Sequence, residues 1–155
     1  MARDDQTERT ISRNKKARHE FLILDEVECG LVLKGTEVKS LRAGRASLQE
    51  AYGRIKGGEL WLMGATIPEY SHGNVHNHEP GRDRKLLAHA REIAQWQKRV
   101  RDKGVTIVPL ELFFRGHLVK ARMALVQGKK LHDKRQTQRE RTHKREMDRE
   151  LGRRR

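Results

Sequence analysis

Residues 105–126, VTIVPLELFFRGHLVKARMALV, decide the fold. In the second arm Val119, Ala121, Met123 and Leu125 fall on one side, and Lys120 and Arg122 on the other. A period of two marks a strand with one buried face. The first arm, VTIVPLELFF, is a near-continuous run of β-branched, aliphatic and aromatic residues, and Arg115-Gly116-His117 between the arms reads as a turn. The pair is an antiparallel hairpin, so a purely parallel sheet is excluded. Pro109 has no N–H for a central ladder, which places its strand at an edge or at a bulge.

Working outward, residues 51–70, AYGRIKGGELWLMGATIPEY, read as a second hairpin turned at Gly57-Gly58. Its second arm, Leu60 to Ile67, is apolar on both faces, as in a strand covered on both sides. Residues 82–104, RDRKLLAHAREIAQWQKRVRDKG, carry the clearest helical pattern. Leu86, Leu87, Ala90, Ile93, Ala94, Trp96 and Val100 share one broad face, with Asp83 as cap and Gly104 after the last turn. Phe21 to Leu24 read as a strand entered by a basic run. Thr36 as N-cap, Val38 and Leu41 as apolar face and Gly44 as stop predict a short helix. Residues 1–13 are polar and read as a loose arm. The sum is five or six strands, one short helix and one longer helical region. A small antiparallel barrel or curled sheet with helices outside satisfies it.

Charge is distributed unevenly. Residues 128–155 hold twelve Lys/Arg against five Asp/Glu, half of the chain's +14. Residues 1–18 contribute +3, and the 109 residues between contribute only +4. The tail's apolar residues, Leu131, Met147 and Leu151, share no helical face, so alone it is expected to be disordered or a fraying helix. A near-neutral body with basic ends points to a nucleic acid. An anionic membrane fits less well, because the ends lack a broad apolar face. No segment is apolar enough to span a bilayer, and the N-terminus lacks a signal-peptide run, so a cytoplasmic location is expected. Cys29 is the single cysteine, which excludes an internal disulfide and a cysteine zinc cluster.

Catalytic signatures are missing: there is no G-x-S-x-G, P-loop or H-E-x-x-H. His72, His76 and His78 have a spacing that a folded loop could close on a metal, but Glu79 is the only acid near them. Glu26 and Glu28 would share a face on a strand, either as paired carboxylates or as a solvated strand end balancing lysines. Three basic groups stand out, at 13–18, 39–45 and 82–85. No aromatic residue is interleaved with them, so recognition of a folded RNA by shape and phosphate geometry is favoured over base stacking. Within the tail, GKKLHDKR (128–135) is the least generic part, because a merely basic arm needs no glycine, histidine or aspartate.

RNKKARHEF (13–21), GTEVKSLRAG (35–44), NHEPGRDRKLL (77–87), VPLELFF (108–114) and GKKLHDKR (128–135) occur in one order. Together they resemble small protein B, the SsrA-binding proteins that accompany transfer-messenger RNA. The resemblance implies a mainly β fold. This is a six-stranded closed antiparallel barrel of the oligonucleotide-binding type, with about three flanking helices and a tail that becomes helical when bound. It implies three regions: a flexible arm 1–13, an RNA-binding barrel 14–127 and a basic tail 128–155. It also implies a non-enzymatic factor without cofactor or metal. Such a factor binds the tRNA-like domain of transfer-messenger RNA and, with elongation factor Tu and GTP, brings it to stalled ribosomes. The tail then enters the vacant messenger channel at the decoding centre of the 16S rRNA.

By matching motif, Asn14, Lys16, Arg18, His19, Glu28, Thr36, Glu37, Lys39, Ser40 and Arg42 belong to the RNA-facing body, with Glu28 an acceptor for base or ribose groups. Arg82, Arg84 and Lys85 match a basic motif. Gly128, Lys129, Lys130, His132, Asp133, Lys134 and Arg135 match the decoding-site segment. Ala88 and Ala90 depart from the larger or basic residues of many relatives, which weakens a helix-face contact. The alternatives are a structural ribosomal protein or general structured-RNA binder, and a nuclease using the histidine loop.

Overall fold

The computed structural model describes residues 7–73 and 76–153, with the side chains of 130–137 and 153 outside that description. In chain order the elements are β1 (Glu8–Arg13), α1 (Lys15–Glu20), β2 (Phe21–Leu31), α2 (Gly35–Arg42), β3 (Tyr52–Lys56), β4 (Glu59–Met63), β5 (Arg84–Leu87), α3 (Ala90–Arg99), β6 (Val105–Arg115), β7 (Leu118–Gly128) and α4 (Lys129–Arg153).

The long hairpin stands as read. β6 and β7 pair antiparallel from Val105↔Gln127 to Arg115↔Leu118. The turn uses Gly116 at φ +59°, a conformation glycine adopts without a Cβ clash. The ladder slips between Pro109 and Glu111, so the residue without an N–H sits at a bulge. β2 lines the other edge of β7, from Phe21↔Gly128 to Gly30↔Lys120. Pairing then runs from β2 to β5, β4 and β3, and β3 returns to β6 at Gly53↔Ile107. Six strands therefore form a closed antiparallel ring.

Closure depends on a glycine. A Cβ at Gly53 would stand 2.5 Å from Ile107 Cγ2 and 3.2 Å from Met123 Cε. Inside the ring, Leu60, Leu62, Leu86, Ile107, Leu112 and Met123 form the main core, which α2 joins through Leu41 and α3 through Ile93 and Trp96. The Trp96 indole N–H, carried into the core with the ring, donates to Asp25 at 2.8 Å.

Three expectations need correction. Residues 8–13, read as a loose arm, form β1 on the edge of β6, from Glu8↔Arg115 to Arg13↔Glu111. β6 outruns β3 on this edge, and a short polar strand occupies ladder groups that would otherwise stay open. Residues 1–6 of that arm lie outside the described residues. The helix read over 82–104 begins only at Ala90, behind His89 rather than Asp83, because Arg84–Leu87 is strand β5. Arg84 and Leu86 are buried while Leu87 is exposed, a period of two hidden inside an apolar run. β4 is covered on one face only: Leu60 and Leu62 are buried, while Trp61 and Met63 are half-buried on the outside. The tail is described as the helix α4, with residues 138–152 all exposed. Its Arg, Lys, Glu and Gln content favours helix locally.

Candidate nucleic-acid interface

The first basic set is displayed by a short helix laid on the outside of the barrel. Ala17, 1% exposed, packs with Val108, Leu110, Ala124 and Val126. Phe21 and Ile23 close the same small cluster. With Ala17 facing in, Lys15, Lys16, Arg18 and His19 are exposed. Asn14 fixes the entry to α1. Its backbone N–H donates to Leu110 O at 2.8 Å and its side-chain amide donates to Pro109 O at 3.0 Å. Asn14, expected on the RNA-facing surface, is thus half-buried and joins β1 to the bulge of β6.

The second set lies on α2. Leu41 is fully buried, and Ser40 Oγ donates to Pro68 O at 2.7 Å. That orientation leaves Lys39, Arg42 and, just beyond the helix, Arg45 exposed. Lys39 lies 5.4 Å from the Tyr70 ring centroid. Thr36, expected as the N-cap, instead bonds His78 Nδ1 at 2.9 Å, and Lys34 holds the cap position. His78 Nε2 donates to Ile67 O at 2.7 Å. Both nitrogens of this buried ring are thus occupied, while His72 and His76 are exposed, so the three histidines do not converge. Among the described residues no group of three His, Cys, Asp or Glu side chains is arranged for a metal.

β1 connects the two sets. The Arg9 guanidinium donates to Arg42 O at 3.0 Å and lies 5.2 Å from the Phe114 centroid. Arg13, at the far end of β1, leads into α1. Four residues of strand span ~13 Å between them, so β1 joins the two sets in one strip of elements, while the bulge between Thr10 and Ser12 breaks the alternation that would put Arg9 and Arg13 on one face. Arg9 was not among the expected residues. The alternation in ERTISR was its only signal, and it is short.

Glu37, Ser40 and Arg84, expected to face RNA, are inside. Glu37 is fully buried and accepts from the Lys34 N–H at 2.8 Å, from Arg84 Nε at 2.5 Å and from Arg82. Arg84 also donates to Ala65 O, Arg82 O and Pro80 O at 2.9–3.0 Å. Burial alone would raise the Glu37 carboxyl, but the bonds from Arg82, the Lys34 N–H and Arg84 outweigh it and hold it below the usual range. This network ties α2 to β5 and encloses Glu37 and Arg84, while Arg82 keeps 24% of its side chain exposed. Lys85 points outward from β5 and pairs with Glu59 at 3.1 Å.

Glu28 is exposed on the outer face of β2 and grips Arg115, with one contact at 2.9 Å. Arg115 also pairs with Glu8 at 2.6 Å, Glu8 with Arg122 at 2.9 Å, and Arg122 with Glu111 at 2.8 Å. Three carboxylates face two guanidiniums, one negative charge in excess, beside the basic strip. The hydrogen bonds of Arg115 and Arg122 hold the Glu8 carboxyl below its ordinary value.

The tail starts next to α1. Gly128 pairs with Phe21 at the end of β7, and Lys129 Nζ donates to Arg18 O at 3.1 Å. The backbones of Lys130, His132, Asp133, Lys134 and Arg135 lie in α4, and their side chains lie outside the described residues.

Residues 11–153 match the family model described as SmpB protein. An SsrA-binding protein of Corynebacterium urealyticum is 55% identical over 143 residues, covering 92% of this chain and 80% of its own. That of Acidothermus cellulolyticus is 53% identical over 154 residues, covering 99% and 96%. That of Mycolicibacterium vanbaalenii is 51% identical over 150 residues, covering 97% and 91%. Among solved structures, a chain from "tmRNA-SmpB: a journey to the center of the bacterial ribosome" superposes with a TM-score of 0.64. It is 41% identical and covers 76% of this chain and 82% of its own.

Proposed function

The chain belongs to the SmpB family, and from that premise we propose that it binds transfer-messenger RNA and carries it to stalled ribosomes for trans-translation. The observation that carries this reading is that β1 links the exposed cations of α1 and α2, with α1 directly beside the root of the basic helix α4. The barrel with β1 is the RNA-holding unit. Lys16, Arg18 and His19 from α1 and Lys39 and Arg42 from α2 contact the phosphates of the tRNA-like domain. Asn14, Thr36, Glu37, Ser40, Arg82 and Arg84 keep those helices in place, and Glu28 accepts from a ribose or base beside the strip. Each phosphate neutralised releases counterions, so affinity falls with salt in proportion to the cations engaged.

The tail serves the ribosome. A helix of 25 residues is about 37 Å long and 10–12 Å across with side chains, a rod that a channel emptied of messenger RNA can admit. Gly128, Lys129, Lys130, His132, Asp133, Lys134 and Arg135 form its base at the decoding centre, and the remaining cations line the RNA wall of the channel. Elongation factor Tu with GTP accompanies the delivery. The factor acts by binding and without chemistry of its own, in the cytoplasm where ribosomes translate. No described helix is long and apolar enough to cross a membrane.

The test separates the two units. A chain ending at Gly128 is expected to keep its preference for the tRNA-like domain over ordinary tRNA at several salt concentrations, and to lose tagging of stalled peptides. If truncation abolishes that preference as well, the division between barrel and tail is wrong.

A further inference from the structure

The outer face of β3, β4 and β5 carries a feature that the α1–α2 strip does not use. Leu60 and Leu62 point into the core, so Glu59, Trp61 and Met63 point outward, where Trp61 and Met63 remain half-buried. Trp61 is paired across the sheet with Arg54 on one side and Lys85 on the other. Directly opposed residues have Cβ atoms about 5 Å apart, so Trp61 stands between two cation-bearing positions on different strands. Beside it opens a groove of about 500 Å³ whose lining includes Arg54, Lys56, Trp61, Met63 and Asp83.

Lys85 is engaged by Glu59 at 3.1 Å. Among the described residues Arg54 and Lys56 make no ion pair, and they stand two residues apart on one face, ~7 Å. Two successive phosphates of an extended strand can meet such a pair. The lining also holds the carboxylates of Asp83 and of Glu59, the cross-strand partner of Lys56, which can accept N–H groups from a base edge. An indole flanked by Arg54 and Lys85, with Lys56 and two carboxylates in the same groove, is complementary to an unpaired nucleotide, with stacking in the middle. The linear sequence separates aromatic from basic residues; pairing Arg54, Trp61 and Lys85 across three strands interleaves them.

We propose that this face binds a single-stranded RNA segment, with a base stacked on Trp61 and its phosphates on Arg54 and Lys56. The site goes beyond the folded-RNA interface proposed above and lies on different elements.

Tryptophan fluorescence of the full chain, titrated with single-stranded RNA octamers and with a blunt RNA duplex, tests it. Trp96 is 2% exposed, so quenching reports Trp61. The octamers are expected to quench and the duplex not. Trp61→Ala is expected to abolish the quench and weaken octamer binding about five- to a hundredfold, while Trp61→Phe keeps most of the affinity. Should the alanine variant misfold, Arg54→Gln/Lys56→Gln carries the test: it is expected to lower the log–log salt slope for octamers by about 1.4. Both sets of variants keep binding to the tRNA-like domain, so failure here leaves the preceding proposal standing. Octamer binding without quench, unchanged in Trp61→Ala, would place the contact on the basic tail and overturn the inference. Quenching by a polyglutamate peptide but not by RNA would assign the face to a protein partner and overturn it equally.

Discussion

Replacing Glu37 with Gln tests the account of how the basic helices are held. The substitution preserves shape and removes one charge from the network of Glu37, Arg82 and Arg84. Arg84, with no exposed side-chain surface, would remain charged without its counter-ion. Removing one partner of a buried pair costs about 3–5 kcal/mol, far more than the pair's net worth, because the remaining charge is uncompensated. For a domain of this size that lowers Tm by roughly 10–20 °C. Urea unfolding followed by circular dichroism measures it. The pH dependence has a definite sign. Glu37 has a depressed folded pKa. Its contribution is therefore present above the unfolded carboxyl value of about 4.3 and is lost as pH falls through the lower folded value. The gap between wild type and Glu37→Gln should be full at pH 7 and narrow below about pH 4. Glu37→Leu combined with Arg84→Met should recover much of the loss, since neither charge is then stranded. A Glu37→Gln protein within about 1 kcal/mol of wild type, or a gap that ignores pH, would refute the reasoning.

Other consequences are as direct. Gly53→Ala drives a methyl into Ile107 at the one pairing that closes the ring, and should destabilise by about 1–3 kcal/mol in the same urea titration. Burial, helped by the Glu92 charge, pushes the Cys29 thiol up to about 12, so a thiol reagent at pH 8 should label it only after unfolding. Arg115→Gln removes the main partner holding Glu8 down, and NMR titration of Glu8 should show its pKa rising toward the ordinary carboxylate value. Arg42→Ala should weaken transfer-messenger RNA binding and reduce the salt slope by about one, read by filter binding at three salt concentrations.

Legibility in the sequence followed the range of the interaction. The β6–β7 and β3–β4 hairpins were readable because alternation and turn glycines are local. Pro109 announced an edge or a bulge for the same reason, and the ladder slips beside it. β5 was not readable: four residues, RKLL, carry too little periodicity to stand out beside the helix that follows, and their strand character comes from neighbours β2 and β4. β1 escaped because its partner lies about a hundred residues away. Within the basic group at 82–85 Lys85 reaches the surface, whereas Arg84 is buried. No sequence pattern distinguishes an Arg84 neutralised by a distant Glu37 from one in solvent.

By itself the sequence determined the antiparallel class, the short helix at 35–42, the charge division between body and tail, and the ordered motifs that mark the family. All of these rest on residue types and short spacings, which act within one element. Tertiary structure alone decided ring closure through Gly53, the burial of Glu37 and Arg84, the adjacency of α1 to the tail, and the cations flanking Trp61. These depend on contacts between elements far apart in the chain, whose register is chosen by packing of the whole core.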